Sequence, residues 1–308
     1  LAGRAVRAVW SFWSAPHRER GGWVWPSELH HALAWSLSLR TASRHYPDTW
    51  LYTDDAGADY LIDRLGLRFA HVSTRLNALA GQDPGWWALG KLYTYRAQTE
   101  PFVHVDSDVF LWLRLPRRLE SAQVFAQNPE PVEPGASFYQ PEKIESALAR
   151  RGARPPEEWL WFRRRWPGGL RGECCGIYGG TNLAFIRHVA GLAIDLVEAR
   201  RTRAAMAALD DKPRLMVVLE QFLPAASIEF HRARADSPFR GIDIDYLFGS
   251  SWELFDQRHA KRAGFTHLLG DVKRIPAVAR LLEDRVYRED PGQYRRCVQA
   301  ARLGKSRA

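Results

Sequence analysis

The stretch FVHVDSDVFL, residues 102–111, decides how the chain is read. A β-prone apolar run, Phe102–Val105, leads into Asp106 and Asp108, and the chain turns apolar again at Val109. Carboxylates are rarely buried unless something pairs with them. A buried strand that ends in two of them predicts a bound cation; a strand that ends at the surface predicts two solvated loop aspartates. Alternate residues of an extended chain share a face, so Asp106 and Asp108 are expected to converge on one ion. Hard divalent cations take carboxylate oxygens and keep positions open for water or for substrate phosphates.

Working outward toward the N-terminus, strands and helices alternate. AVRAVWSFW (5–13) reads as a buried strand, and Ser27 as the N-cap of a helix running to about Arg44. DTWLYTD (48–54) is a second strand, with Asp54 or Asp55 capping the next helix, and LRFAHVS (67–73) is a third. A helix from about Trp86 to Thr99 stops before Pro101, and the fourth strand is FVHVD (102–106). Such alternation predicts an α/β domain with a mostly parallel sheet flanked by helices. Ligands of such sheets sit beyond the carboxyl ends of the strands, where Ser14, Asp54 and Asp106 all fall.

Toward the C-terminus, GIYGGTNLAFI (176–186) reads as a glycine-bearing strand entering a helix, and LMVVLEQFLPAA (215–226) is apolar around Glu220 and Gln221. HLLGDVK (267–273) places His267, Gly270 and Lys273 at H-x-x-G-x-x-K spacing. An imidazole can supply a third metal ligand, a glycine permits close approach, and an ammonium supplies a point charge for phosphate oxygens. Taken separately, His267 is also compatible with a satisfied histidine near a strand end, and Lys273 with a surface lysine.

The order D-x-D followed late by H-x-x-G-x-x-K resembles metal-dependent glycosyltransferases of the GT-A fold, in particular the glycogenin and bacterial galactosyltransferase group. The resemblance spans roughly residues 5–275. It implies a GT-A-like, Rossmann-type single domain with a mixed, mostly parallel sheet. Residues 1–114 would form its nucleotide-binding half and 115–275 the donor-sugar and acceptor half, followed by a basic C-terminal helical tail over 276–308. It further implies that Asp106, Asp108 and His267 hold Mn2+ or Mg2+, and that Lys273 contacts the diphosphate of a nucleotide-sugar donor, UDP-linked by analogy. Lys91, Asp54, Ser14, Gly180 and Gly270 would line the donor, with Asn182 facing the sugar. Glu220 and Gln221 would lie near the anomeric carbon or bind sugar hydroxyls, Glu220 standing where the group has Asp; the alternative for Glu220 is a helix-end residue packed beside an apolar stretch. The acceptor would be a glycan, a peptide or a small molecule.

The same ten residues fit a second scheme. VDSDV resembles the opening motif of haloacid dehalogenase-like phosphotransferases, with Thr181, Lys212 and the Asp243/Asp245 pair as later elements. That motif normally follows the first strand of its domain, whereas about a hundred residues precede it here.

Composition bounds these expectations. The chain has 308 residues, 46% of them hydrophobic, enough for a sizeable core. Its formal charge of +9 favours anionic partners such as nucleotides, and allows peripheral contact with an acidic membrane face. Arginine and tryptophan together would also suit a nucleic-acid binder, but no recognised nucleic-acid motif is present, and bare aspartates repel phosphate. No run is long enough to span a bilayer. No secretory leader is apparent, and with only three cysteines, of which Cys174 and Cys175 are adjacent, a reducing, cytoplasmic setting is expected. Trp159, Phe162 and Trp166 share one helical face and are expected to pack in the core or to form an aromatic wall over the acceptor. The C-terminal arginines are expected on a solvated surface with a frayed end.

Overall fold

Strands β1 (Arg7–Phe12), β2 (Thr49–Thr53), β3 (His71–Ser73) and β4 (Phe102–Val105) form wherever the sequence shows its β-branched and aromatic runs. The structure is a computed structural model that describes residues 6–19, 25–132, 139–166 and 170–305. Ala5 and Arg307, which belong to stretches singled out above, lie outside the described residues.

The remaining strands are β5 (Val109–Leu111), β6 (Val124–Ala126), β7 (Pro129–Val132), β8 (Leu170–Glu173), β9 (Ile177–Gly180), β10 (Ile244–Tyr246) and β11 (Phe265–His267). Seven of them make the central sheet in the order β10-β6-β9-β4-β1-β2-β3. All its pairings are parallel except those of β9, which runs antiparallel to both β4 and β6. The carboxyl ends of β1, β2, β4 and β6 therefore share one edge.

The period of two along each strand builds the layers. Ala8, Trp10, Val103 and Val105 face one core, under helix Glu28–Ser43. Val9, Phe102 and Tyr178 face the other, under helices Leu89–Arg96 and Leu183–Glu198. The result is one α/β domain with a mostly parallel sheet between helical layers.

Three local expectations change. The third strand starts only at His71, and the helix before β4 spans Leu89–Arg96 rather than 86–99. The C-terminal tail is not frayed over its described part. Helices Pro276–Glu289 and Pro291–Lys305 return across helix Glu28–Ser43, burying Leu282, Val286, Cys297 and Ala300, while Arg40 pairs with Glu289 and Asp290. Their apolar face outweighs the solvation of the arginines. Of the aromatic trio, Trp159 and Phe162 are core residues, and Trp166 keeps 38% of its surface exposed. Among the described residues no helix is long and apolar enough to cross a membrane.

Candidate metal centre

The decisive stretch is two strands, not one. β4 ends at Val105, and Asp106 to Val109 form a turn closed by Val109 N–H donating to the Asp106 carbonyl at 3.0 Å. Asp and Ser favour such turns because their side chains compete for backbone partners. The carboxylates converge across this turn rather than by strand alternation, which corrects the expectation above. β5 then leaves the central sheet and pairs antiparallel with β11, with His267 opposite Val109. Leu268 N–H donates to the Asp108 carbonyl at 3.1 Å, so the backbone itself holds the late motif against the aspartates.

Gly270 adopts φ +48°, a left-handed conformation that strains any side-chain-bearing residue. It opens the short 3-10 turn Gly270–Arg274, which brings Lys273 back to pair with Asp108. The Lys273 ammonium also lies over the Trp25 ring, 5.5 Å from its centre.

Asp106 belongs to a second ion network. Lys91 Nζ lies 2.9 Å from Asp106 Oδ1, donates to the Cys175 carbonyl at 3.2 Å and pairs with buried Glu220. Glu220 sits in a π-helical turn, Val218–Phe222, that interrupts the run from Lys212 to Ala233. Such wide turns often re-aim side chains at functional sites. Burial opposes the Lys91 charge, yet Asp106 and Glu220 hold its pKa well above the ordinary lysine value. Burial raises Asp106 above the carboxylate range against the pull of Lys91, and Asp108 and Glu220 add to the rise. Asp108 is also buried, but Lys273 and His267 outweigh that and hold it far below the usual range. Three carboxylates thus face two ammonium groups and one imidazole, an anionic set whenever the imidazole is neutral.

The residues fit a divalent ion. One donor atom each from Asp106, Asp108 and His267 lie within 4.8 Å of one another. His267 Nδ1 is 2.7 Å from Gln127 Oε1, and the Gln127 amide is oriented by its own donation to Asn128 Oδ1 at 3.0 Å. With Nδ1–H donating to Gln127, Nε2 is left with its lone pair, 3.5 Å from Asp108 Oδ1. Ligand histidines are held in this way by an outer acceptor. Two carboxylates with one imidazole suit Mn2+ or Mg2+ with open positions.

Gly176 makes room for this contact. A Cβ there would stand 2.4 Å from Gln127 Oε1 and 2.5 Å from His267 Nδ1. Its carbonyl also accepts from Asp106 N–H at 3.0 Å. Sequence reasoning missed Gln127, Gly176 and Trp25. Gly176 stood in a quoted glycine-bearing stretch, and Gln127 follows an apolar strand just as Asp106 does, but neither spacing names a partner.

Gly180 and Asn182 lie apart from the aspartates. Because β9 is antiparallel, Gly180 pairs with Phe102 at the start of β4, roughly 10 Å of strand from the D-x-D edge. Asn182 caps helix Leu183–Glu198, its Oδ1 accepting from Phe185 N–H at 3.1 Å. The antiparallel run of β9 thus places these two away from the aspartates and its start, at Gly176, beside Asp106. Asp54 caps the helix after β2, accepting from Gly57 N–H at 2.8 Å, while its other oxygen accepts from the Ser14 hydroxyl at 2.7 Å. Ser14 and Asp54 thus lock the ends of β1 and β2 together, beside a cavity of about 330 Å³ lined by Trp13, Arg18, Asp55 and Asn77. Gln221 Oε1 accepts from the Tyr139 hydroxyl at 3.0 Å.

The residues of the phosphotransferase scheme do not gather at the aspartates. Thr181 follows Gly180 at the far edge, Lys212 pairs with Asp83, Asp243 with Arg232, and Asp245 lies 3.7 Å from Arg118.

A family of unknown function (DUF6734) matches the chain over residues 5–300, and the chain belongs to it. No curated protein matches the chain.

Proposed function

We propose that this member of the DUF6734 family is a metal-dependent glycosyltransferase of the GT-A type, moving a sugar from a nucleotide-sugar donor, UDP-linked, to a glycan, peptide or small-molecule acceptor. One observation carries the reading: the β5–β11 pairing joins His267 and Lys273, more than 150 residues downstream, to the aspartates at the end of a parallel half-sheet. The order of the motifs and the meeting of their side chains both support the reading.

Asp106, Asp108 and His267 would hold Mn2+ or Mg2+, which supplies Lewis-acid stabilisation of the diphosphate as negative charge develops on it. Lys273 brings a second positive charge to the same edge for the phosphate oxygens. Lys91 keeps Asp106 oriented and partly neutralises Glu220, so that three carboxylates tolerate one another in a buried space. Glu220, buried at the π-helical turn and paired with Lys91, acts on the site through that lysine. The cavity at the ends of β1 and β2 shares the D-x-D edge and suits the nucleoside. Cys174, Cys175 and Cys297, free and buried, support a reducing, cytoplasmic setting.

The test is UDP release from UDP-glucose or UDP-galactose. Release should require Mn2+, stop on chelation, and fall in Asp108→Asn by more than the roughly 10–100-fold typical of a lost outer-shell partner, with the melting temperature of the variant measured alongside. Chelator-insensitive turnover, or phosphate release from a simple phosphomonoester in its place, overturns the reading.

A further inference from the structure

A second cluster of metal-ligand side chains lies away from the aspartates, where three helices meet. Glu158 comes from helix Glu157–Arg165, His188 from helix Leu183–Glu198 and His231 from helix Leu223–Ala233. Their donor atoms lie within 4.8 Å of one another. His188 Nε2 is 2.9 Å from Glu158 Oε1, and His231 Nε2 is 3.6 Å from the same oxygen. A tetrahedral ion with bonds of about 2.05 Å holds its ligands about 3.3 Å apart, between these two separations.

An independent feature points to a ligand. His231 is only 4% exposed, yet its Nε2, aimed into the cluster, has no hydrogen-bond partner. A buried imidazole nitrogen left without a partner is costly. Its other nitrogen is engaged: Nδ1 is 2.6 Å from Ser237 Oγ, which also accepts from Phe239 N–H at 2.9 Å. A second lone pair on that hydroxyl can take the Nδ1 proton, leaving Nε2 free to bind, the outer-shell pattern of metal-bound histidine. The rings of Phe185, Phe230 and Phe239 lie within 5.9 Å of the His231 ring and lower the local polarity. His188 keeps 32% of its side chain exposed, which leaves a path for an ion and a water as fourth ligand.

We propose that Glu158, His188 and His231 form a second metal site, for Zn2+ or a similar borderline transition ion, that cross-links the three helices. Two imidazoles with one carboxylate suit zinc, whereas the oxygen-richer set at the aspartates suits Mn2+ or Mg2+. The role we assign is structural: the ion joins helix Glu157–Arg165 to helices Leu183–Glu198 and Leu223–Ala233.

The test uses the full chain, stripped with chelator and carrying Asp108→Asn so that the first site is disabled. Zn2+ is titrated calorimetrically, and Co2+ is added as a spectroscopic probe. One Zn2+ per chain should bind and raise the melting temperature. Co2+ should give the visible absorption of a four-coordinate ion. His188→Gln in the same background should weaken Zn2+ by at least the roughly 10–100-fold seen for a lost outer-shell partner, and should abolish the cobalt band. His188 is partly exposed, so its variant should fold; a chelator-treated melt matching the parent confirms this, and Glu158→Gln provides a second variant. Failure of the Asp108→Asn chain to bind Zn2+, or equal Zn2+ affinity with and without His188, overturns the proposal. Neither result depends on glycosyl transfer.

Discussion

At the residue scale, the weight of the site falls on side chains that hold other side chains. Gln127 is fully buried and touches no expected ligand position except the His267 ring, at 2.7 Å. Its role is to fix which imidazole nitrogen faces the carboxylates. Gln127→Ala should therefore lower Mn2+ affinity about 10–100-fold, read by calorimetric titration. Unchanged affinity would mean that His267 needs no such partner, or is not a ligand. Lys91 acts similarly on Asp106, but it also offsets the charge of Glu220, so its removal would mix folding with binding. Asp54 and Ser14 show the converse: residues at the carboxyl ends of strands whose polar atoms are already taken up by a helix cap.

At the element scale, the antiparallel β9 determines which residues reach the site. It enters beside Asp106 at Gly176 and leaves at Gly180 on the far edge. Gly176 is a glycine for lack of space, since a methyl group there would overlap both Gln127 and His267. Gly176→Ala should displace the His267 ring, weaken Mn2+ binding and lower stability by about 1–3 kcal/mol through overpacking. Mn2+ titration and urea unfolding measure the two effects. A variant with parental values in both would show that the ring is free to shift. The β5–β11 ribbon is the other decisive element, because it holds together two motifs distant in sequence.

At the scale of the whole molecule, buried titratable groups set opposing pH limits on stability. Burial and neighbouring His17 push the His31 imidazole down to about 3 from 6.5, within the aromatic packing of Phe12, Trp35 and Tyr60. The folded chain refuses a proton that the unfolded chain accepts, so this group removes stability as pH falls from 6.5 toward 3. Burial pushes Glu173 up to about 7 against the pull of Arg171, so that group removes stability as pH rises from 4.5 toward 7. The two slopes oppose each other, and the parent alone would hide both. The stability of His31→Gln relative to the parent should therefore rise as pH drops from 6.5 to 4.5, by at most about 1.4 kcal/mol per pH unit. The lower bound of that window lies at the ordinary value of Glu28, whose own contribution is lost only below it. Urea unfolding across the window gives the difference, and a flat difference would show that His31 accepts its proton in the folded state.

The periodicity of apolar residues was enough to place β1, β2, β4 and helix Glu28–Ser43, because burying one face is a local pattern with a fixed repeat. The residue types of a cation site were also legible: D-x-D and H-x-x-G-x-x-K name carboxylate, imidazole and ammonium from chemistry alone. The turn that brings Asp106 to Asp108, the reversed direction of β9 that moves Gly180 and Asn182 away, and the support of His267 by Gln127 were decided only in three dimensions. So was the meeting of Glu158, His188 and His231. The physical reason is the same in each case. Strand direction and long-range pairing follow from how helices and sheet share one core, and spacing along the chain carries no record of which distant backbone a strand will hydrogen-bond.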